Sequence, residues 1–407
     1  LKLQAPEGTL ESLISSSLYN WSSFDKEKHV SALKQIKEMP DQFKDLKDIQ
    51  LVFAHCYFNL DNTENKFEDL LKRETDFSRY YFFYSNYLFK QKRVNEANKV
   101  INSAIKISSR NLLFNQMKID LARQNKAKIA LKNNFNCEKI NDNIAELFYI
   151  SSSALSSQSI YSNANFYLNL AKYLNPNFIS YDTLYAENLF KMKEYTNAKK
   201  VLNKVSEKGQ IYNWYASKQI ANILFKEDKK NEGIKHLVKV FEEIKNPSIN
   251  EIYDFAEFLK NNEKYERAID NYSKLLKKIK FEDDIFSSVS EGRGVAYERS
   301  GKWEKAEKDL LNSLRKNPNQ AYVINYLAYS WIEKGINVEK SLKMLSKAHE
   351  LKKNDGYIID SLGWALFKLK KFKEAKKYLQ LAVTIMPTDP VINDHFGDSL
   401  WMNNKNI

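Results

Sequence analysis

The sequence has few residues that interrupt regular structure. It contains 10 glycines and 7 prolines among 407 residues, and both residue types destabilise helix interiors. Their scarcity favours helix over most of the chain. A run of eighteen consecutive apolar residues is also missing, so no segment of the sequence is predicted to span a membrane.

Cysteine is almost absent. Cys56 and Cys137 are the only two cysteines, and neither belongs to a metal-binding or redox spacing. Because the two residues are far apart in the sequence, we expect no structural disulfide. The cysteines therefore do not indicate a cellular compartment.

Signatures of catalysis and of metal binding are missing as well. The five histidines are scattered, and no serine lies in a nucleophile-elbow pattern. Residues Gly292–Gly294 lack the strand and the spacing of a phosphate-binding loop. The most suggestive string places Asp394 and Asp398 four residues apart with His395 adjacent, but no matched His or Cys pair lies nearby. We therefore expect no enzyme and no cofactor, metal ion or small-molecule substrate.

The charges are unbalanced but not concentrated. Lysine and arginine number 64 against 51 acidic residues, which gives a formal charge of +13. Such an excess points to nucleic acid, an anionic membrane or an acidic protein as possible partners. However, lysines stand beside acidic residues, as in the string KWEKAEKD at 302–309, and no dense basic run or stacking motif is present. We expect these charges to cover outer helix faces, and we do not expect nucleic-acid binding.

What the sequence does contain is a repeated spacing of small residues and proline. Gly294 and Gly363 are each followed twelve positions later by alanine and after twelve more by proline, at Ala306 and Pro318 and at Ala375 and Pro387. Two helices approach to about 8–10 Å only where the contact positions carry small side chains. Proline ends a helix because it lacks the backbone donor. The spacing therefore predicts antiparallel helix pairs.

The small residues recur with a nearly constant period. Gly294, Ala328, Gly363 and Gly397 are separated by 34, 35 and 34 residues. The same phase continues towards the N-terminus through Ala256, Ala221, Ala186, Ser152 and, after a weak repeat, Ser85. We expect about eleven helix pairs followed by a lone final helix from Pro390 to about Asn403.

A period of about 34 residues, with Leu362, Gly363, Ala375, Ala382 and Pro387 in phase, resembles the tetratricopeptide repeat. The usual tryptophan near the start of that repeat is replaced by Ile359, and Leu366 stands where tyrosine is common. The resemblance implies an all-α fold, a right-handed superhelical solenoid of antiparallel helix pairs. We expect one such solenoid over 1–407, with divergent repeats at 1–84, degenerate repeats at 85–290 and well-formed repeats at 291–407.

In that family the first helix of each pair lines a concave groove. The residues three before, one after and four after the small residue point into it. Applied to the last three repeats, with two tyrosines one turn earlier and one adjacent lysine, this geometry predicts a partner-binding groove formed by Tyr322, Asn325, Tyr329, Tyr357, Asp360, Trp364, Phe367, Lys368, Asp394, Asp398 and Trp401. Aromatic anchors among amides and carboxylates are typical of a binding surface. The alternative for Trp364 and Trp401 is packing against the second helix of a neighbouring repeat.

Family members that bind a C-terminal carboxylate use a set of two lysines, two asparagines and one arginine, which this chain lacks. Asn325 is suitably placed, but Asp360 and Asp394 occupy the corresponding positions of the next repeats and would repel a carboxylate. These acidic positions favour a partner that carries lysine, arginine or free backbone donors.

The strings NYLAYSWIEKG at 325–335, NDGYIIDSLGWALFKL at 354–369 and DPVINDHFGDSLW at 389–401 carry a narrower resemblance. They are similar to the C-terminal region of proteobacterial tetratricopeptide-repeat proteins. These include outer-membrane lipoproteins that serve as adaptors for carboxy-terminal processing proteases. The resemblance implies a periplasmic or outer-membrane-associated scaffold that binds such a protease, with a cytoplasmic location as the alternative.

Our leading hypothesis is a non-enzymatic scaffold that binds an extended segment or a helix of another protein. The alternative from a different class is an accessory region of a larger enzyme, such as a glycosyltransferase or a peptidase, whose catalytic domain lies outside this sequence. An RNA-binding array is the least favoured hypothesis. Because the chain begins with Leu1 and not with methionine, we expect a processed or trimmed product, with any signal peptide or lipidated cysteine upstream.

Overall fold

The computed structural model describes residues 9–73, 77–124 and 133–403. These residues form 22 α-helices and two 3-10 helices and contain no β-strand. The prediction of an all-α helical-repeat fold is therefore confirmed. The ends of the predicted array, at 1–8 and 404–407, lie outside the described residues.

Contacts within the chain define two compact units, Leu1–Lys245 and Asn246–Ile407. The first unit has two 3-10 helices, Lys26–Lys28 and Asp41–Phe43. Its α-helices are α1 (Leu10–Ser22), α2 (His29–Lys37), α3 (Lys44–Tyr57), α4 (Thr63–Leu71), α5 (Tyr80–Lys90), α6 (Val94–Ile107), α7 (Leu112–Gln124), α8 (Ile140–Ser157), α9 (Tyr161–Leu174), α10 (Ser180–Lys191), α11 (Tyr195–Ser206), α12 (Gln210–Lys226) and α13 (Lys230–Glu243).

The second unit has nine helices among its described residues: α14 (Ile249–Asn261), α15 (Tyr265–Leu276), α16 (Phe286–Arg299), α17 (Trp303–Lys316), α18 (Ala321–Glu333), α19 (Val338–Leu351), α20 (Gly356–Lys368), α21 (Phe372–Ile385) and α22 (Pro390–Met402). They form four helix pairs and the final helix that the sequence predicts. In the first unit α7 is followed by 125–132, which lie outside the described residues, so ten of the eleven predicted pairs are seen.

The small residues lie where the helices of a pair cross. A Cβ atom on Gly363 would lie 2.7 Å from the Cγ atom of Leu379 on the paired helix, and one on Gly294 would lie 3.0 Å from the Cγ atom of Leu310. Ala328, at the same phase, is fully buried. The close approach inferred from the spacing is therefore present, and a larger side chain would push the two helices apart.

In nine of the ten described pairs, all except α1 and α2, the turn between the two helices contains a residue in the left-handed region. Lys193, Glu263 and Lys370 have φ values of 63°, 61° and 60°, and Gly301 takes the same place between α16 and α17 with φ 75°. The next amide donates back to a carbonyl of the first helix, as in the bond from Lys371 N to Leu366 O. These turns are Schellman-type helix ends, in which glycine is the residue with the least strain.

Helix α22 begins at Pro390, as the sequence predicts, and its first turn is capped. The side chain of Asp389 accepts hydrogen bonds from the backbone amides of Val391 and Ile392, and Pro390 is the first residue of the helix. Proline fits there because the first helical amide needs no acceptor.

The expectation about the cysteines is wrong. Cys56 and Cys137 form a disulfide, with their Cα atoms 5.7 Å apart at a sequence separation of 81. The cysteines meet because the segment before α8 returns to α3 and α5, where Phe135 packs on Phe53 and Phe83 with ring centroids 5.4 and 4.3 Å apart.

The packing of the first unit is therefore not limited to consecutive repeats. Helix α1 packs on α8, and α7 packs on α12. A regular solenoid would place contacts only between neighbours. This exception explains how two cysteines so far apart in the sequence can meet.

Candidate functional site

The eleven residues predicted to bind a partner lie on three helices of the second unit, and we call them the C-terminal face. Helix α20 packs directly on α18 and on α22, so the three helices present one continuous surface. The face consists of Tyr322, Asn325 and Tyr329 on α18, of Tyr357, Asp360, Trp364, Phe367 and Lys368 on α20, and of Asp394, Asp398 and Trp401 on α22.

Trp364 is the centre of an internal cluster. Its ring stacks on Phe367 with centroids 4.8 Å apart and on His395 of α22 with centroids 3.9 Å apart. The Nζ atom of Lys368 lies 4.7 Å from the ring centroid of Trp364, and the indole nitrogen donates a hydrogen bond of 2.7 Å to Glu333. Only 7% of Trp364 is exposed. This tryptophan therefore joins neighbouring first helices.

Asp360 is also engaged within the chain. The Nδ1 atom of His395 lies 3.0 Å from both carboxylate oxygens of Asp360, and both residues are buried. The sequence had associated His395 with Asp394 and Asp398, whereas its partner is the aspartate of the preceding repeat. The separation of 35 residues, one repeat, is the signal that could have predicted this pair.

Tyr329 and Asn325 lie beside this cluster and are half-buried. The centroid of the Tyr329 ring is 6.5 Å from that of His395. Burial raises the pKa of Tyr329 to about 12, with further contributions from Glu333 and Asp360. The Oδ1 atom of Asn325 is buried and has no hydrogen-bond partner among the described residues.

The other residues of the C-terminal face are open to solvent. Trp401 is 68% exposed, and Tyr322 and Tyr357 are each 54% exposed. Asp394 and Asp398 are exposed, and neither carboxylate forms an ion pair with a described residue. Large exposed aromatic side chains beside unpaired carboxylates are available to a partner without rearrangement of the helices.

Tyr322 has a local network that orients its ring. Its hydroxyl donates to Asp355 at 2.9 Å and accepts from Lys352 at 3.2 Å. The lysine Nζ atom is 4.5 Å from the ring centroid. The ring is thus held on the surface in one orientation and keeps more than half of its area exposed.

A buried charge pair lies elsewhere, in the first unit. Arg79 donates two hydrogen bonds to Glu146, at 2.6 and 2.9 Å, and its guanidinium lies 3.9 Å from the ring centroid of Tyr149. The carboxylate of Glu146 raises the pKa of Arg79 against the opposing effect of burial. Because each charge is fully paired, this cluster holds α5 to α8 and does not offer a free catalytic group.

Among the described residues, no three His, Cys, Asp or Glu side chains are grouped to hold a metal ion. Within the same ranges, no helix has the length and apolar character needed to cross a membrane.

Comparison with known proteins identifies the repeat. A family model of the tetratricopeptide repeat matches residues 359–389, which cover most of α20 and all of α21. The chain is also similar to the TPR repeat-containing protein PA4667 of Pseudomonas aeruginosa, with 27% identity over 177 residues. That alignment covers 44% of this chain and 29% of the relative, so the chain spans less than a third of the relative's length.

Solved structures of low sequence identity share parts of the helical array. MamA AMB-1 is 19% identical, covers 38% of this chain and 88% of its own, and has a TM-score of 0.34. The C-terminal part of a TPR repeat-containing protein from Cytophaga hutchinsonii is 14% identical. It covers 61% of this chain and 98% of its own, with a TM-score of 0.42. Neither likeness bears on function. The family model thus identifies one tetratricopeptide repeat at 359–389, and the similar protein of Pseudomonas aeruginosa is itself TPR repeat-containing.

Proposed function

We propose that this protein is a non-enzymatic scaffold that binds a segment of another protein on its C-terminal face. The observation that carries the proposal is the exposure of Trp401, Tyr322 and Tyr357 on consecutive first helices of the second unit. Exposed tryptophan and tyrosine side chains are the residues that most often anchor protein interfaces. Asp394 and Asp398, on the same helix as Trp401, add polar groups that can orient a bound chain.

The arrangement suits an elongated partner. The three helices supply equivalent positions at intervals of one repeat, so a bound segment meets a similar set of side chains at each step. Trp364 and Asp360 are buried beneath these exposed residues, and their contacts with His395 hold α20 and α22 together.

A site-specific crosslinking experiment tests the proposal. A photoreactive amino acid replaces Tyr357 or Trp401 in the full-length protein in its native cells, and crosslinked proteins are identified by mass spectrometry. The matched control is Tyr173 on α9, an aromatic residue that is 85% exposed in the first unit. We expect a specific protein to be recovered from positions 357 and 401 and not from 173. The same recovery from all three positions would overturn the proposal.

We further propose that the protein functions in an oxidising compartment, the periplasm or the periplasmic side of the outer membrane. The buried disulfide between Cys56 and Cys137 supports this location, because disulfides persist outside the reducing cytosol. Alkylation of free thiols in cells lysed directly into denaturant, followed by mass measurement, tests it. Both cysteines should resist alkylation unless a reductant is added first, whereas two alkylated cysteines in untreated cells would favour the cytoplasm.

The narrower proposal is that the partner is a carboxy-terminal processing protease, for which this protein is an adaptor. Its support is the resemblance of 325–335, 354–369 and 389–401 to adaptor lipoproteins. Copurification with the protease of the same organism should weaken when Trp401 is replaced by alanine and should not change when Tyr173 is replaced. Recovery of a different protein at positions 357 and 401 would leave the scaffold proposal intact and exclude the protease.

A further inference from the structure

We infer that the segment bound at the C-terminal face carries lysine or arginine side chains. The inference rests on the proposed function and specifies the chemistry of the partner. Several polar groups of this surface that are not paired with a described residue are hydrogen-bond acceptors, among them Asn325 Oδ1 and the carboxylates of Asp394 and Asp398. An acceptor-rich surface of negative charge selects a cationic partner.

One position of the repeat carries an acceptor in four consecutive repeats. The residue three places before the small crossing residue is Glu291 on α16, Asn325 on α18, Asp360 on α20 and Asp394 on α22. We call these four residues the acceptor column; Asn325, Asp360 and Asp394 belong to the C-terminal face, and Glu291 precedes it on α16. Successive members are separated by 34, 35 and 34 residues, so each one occupies the same place on its own first helix.

Three members of the acceptor column have no partner among the described residues. The half-buried carboxylate of Glu291 forms no hydrogen bond or ion pair there, and burial raises its pKa. The Oδ1 atom of Asn325 is buried and unpaired, and the carboxylate of Asp394 is exposed. A buried acceptor without a donor, such as the Oδ1 atom of Asn325, destabilises the folded chain, and a donor from a partner would remove that cost.

The fourth member shows which group this position binds. Asp360 accepts from the imidazole of His395, which the next repeat supplies. The same imidazole stacks on Trp364, with ring planes inclined by 12°. A nitrogen donor held by a carboxylate and packed on an aromatic ring is also the arrangement that a lysine or arginine side chain forms with such groups.

Neighbouring cations form no ion pair with Glu291 or Asp394 among the described residues. The charge of Lys260 acts on Glu291 against the effect of burial on its pKa, but Lys260 donates its hydrogen bonds to both carboxylate oxygens of Glu257 at 2.9 Å. Lys368 lies over the ring of Trp364. The chain as a whole carries a formal charge of +13, so an acidic partner would meet repulsion at this column and attraction elsewhere. Charge complementarity therefore favours a basic segment on this face.

Fluorescence anisotropy with defined peptides tests the inference directly. The probe is a fluorescein-labelled peptide of four Lys-Ala-Tyr units, and the comparison peptide has glutamate in place of each lysine. We expect the lysine peptide to bind at least about tenfold more tightly and its affinity to fall as ionic strength rises. Equal binding of the two peptides would overturn the inference.

Charge-neutralising variants locate the site. Glu291→Gln, Asp394→Asn and Asp398→Asn should each weaken binding of the lysine peptide by about twofold to fivefold. The matched control is Glu374→Gln on α21, which removes the same charge from an exposed position outside the face and should leave affinity unchanged. The inference is wrong if the control has the same effect as the three variants. Circular dichroism confirms that each variant is folded.

The same variants separate this inference from the proposed function. The native partner identified by crosslinking is tested against the triple variant of Glu291, Asp394 and Asp398 and against Trp401→Ala. Loss of binding in both supports a basic segment on this face. Loss only in Trp401→Ala overturns the inference and keeps the scaffold, whereas no loss in either one overturns both.

Discussion

His395 and Asp360 form a buried pair that joins the last helix to the repeat before it. The Nδ1 atom of His395 is 3.0 Å from each carboxylate oxygen of Asp360, and its ring lies against Trp364. Among the described residues α22 packs on α21 and on α20, and the pair of His395 and Asp360 lies in its contact with α20. This pair therefore helps to hold the exposed residues of α22 beside those of α20.

Replacement of His395 by alanine should detach α22. The change leaves the carboxylate of Asp360 buried without its donor, which we expect to cost about 2–4 kcal/mol. Hydrogen exchange followed by mass spectrometry should show faster exchange in α22 and little change in α18. Asp394→Ala, an exposed position on the same helix, is the control and should exchange like the wild type. Full protection of α22 in His395→Ala would contradict this role.

The disulfide should contribute strongly to the stability of the first unit. It closes a loop with a sequence separation of 81 residues, for which chain entropy predicts about 4.5 kcal/mol. Chemical denaturation followed by circular dichroism, with and without reductant, measures the effect. Cys56→Ala, Cys137→Ala and the double variant should be destabilised by similar amounts, because each of them removes the same bond. A double variant that unfolds like the wild type would show that the bond is not formed in solution.

Lys370 should be replaceable by glycine with a gain in stability. Its φ of 60° lies in the left-handed region, which costs an L-residue about 1–2 kcal/mol and costs glycine little. Because glycine also loses more freedom on folding, we expect a net gain of about 0.5–1 kcal/mol in the free energy of unfolding. Lys377→Gly, at an exposed position inside α21, is the control and should lose about 1 kcal/mol. A lower free energy of unfolding in both variants would rule out strain at Lys370.

The repeat phase could be predicted from sequence because its cause is local. Position 363 must be small because it contacts Leu379, which lies only sixteen residues later in the same helix pair. The left-handed turn at Lys370 could not be predicted, since lysine gives no local signal for it. The disulfide depends on the path of the segment before α8, which no periodicity describes.

The sequence placed the predicted site residues on first helices but did not give their contacts. The phase placed Trp364 one residue after Gly363 and Trp401 four residues after Gly397, both in the predicted groove, yet Trp364 is 7% exposed and Trp401 is 68% exposed. The difference arises because α22 covers α20, whereas no described helix covers α22 in the same way. Which turn of a neighbouring helix lies opposite a side chain depends on packing angles that a single sequence does not contain.

Tyr329 should make stability fall at high pH. Its pKa is raised to about 12, above the value of about 10 for an unfolded tyrosine. The folded chain therefore keeps the phenol proton to higher pH than the unfolded chain does. The contribution of this residue to stability is complete below about pH 10 and is lost as pH rises towards 12.

The matched variant for this effect is Tyr329→Phe, which keeps the ring and removes the titrating group. Denaturant unfolding of both proteins between about pH 8 and 11.5 gives the free energy of unfolding for each one. Because Tyr329 is half-exposed, solvent screening limits the expected difference to about 1 kcal/mol. The wild type should lose this amount relative to the variant above about pH 10, with no change in the difference below it. Parallel curves over the whole range would mean that the phenol of Tyr329 ionises equally in both states, and that Glu333 and Asp360 do not act on it.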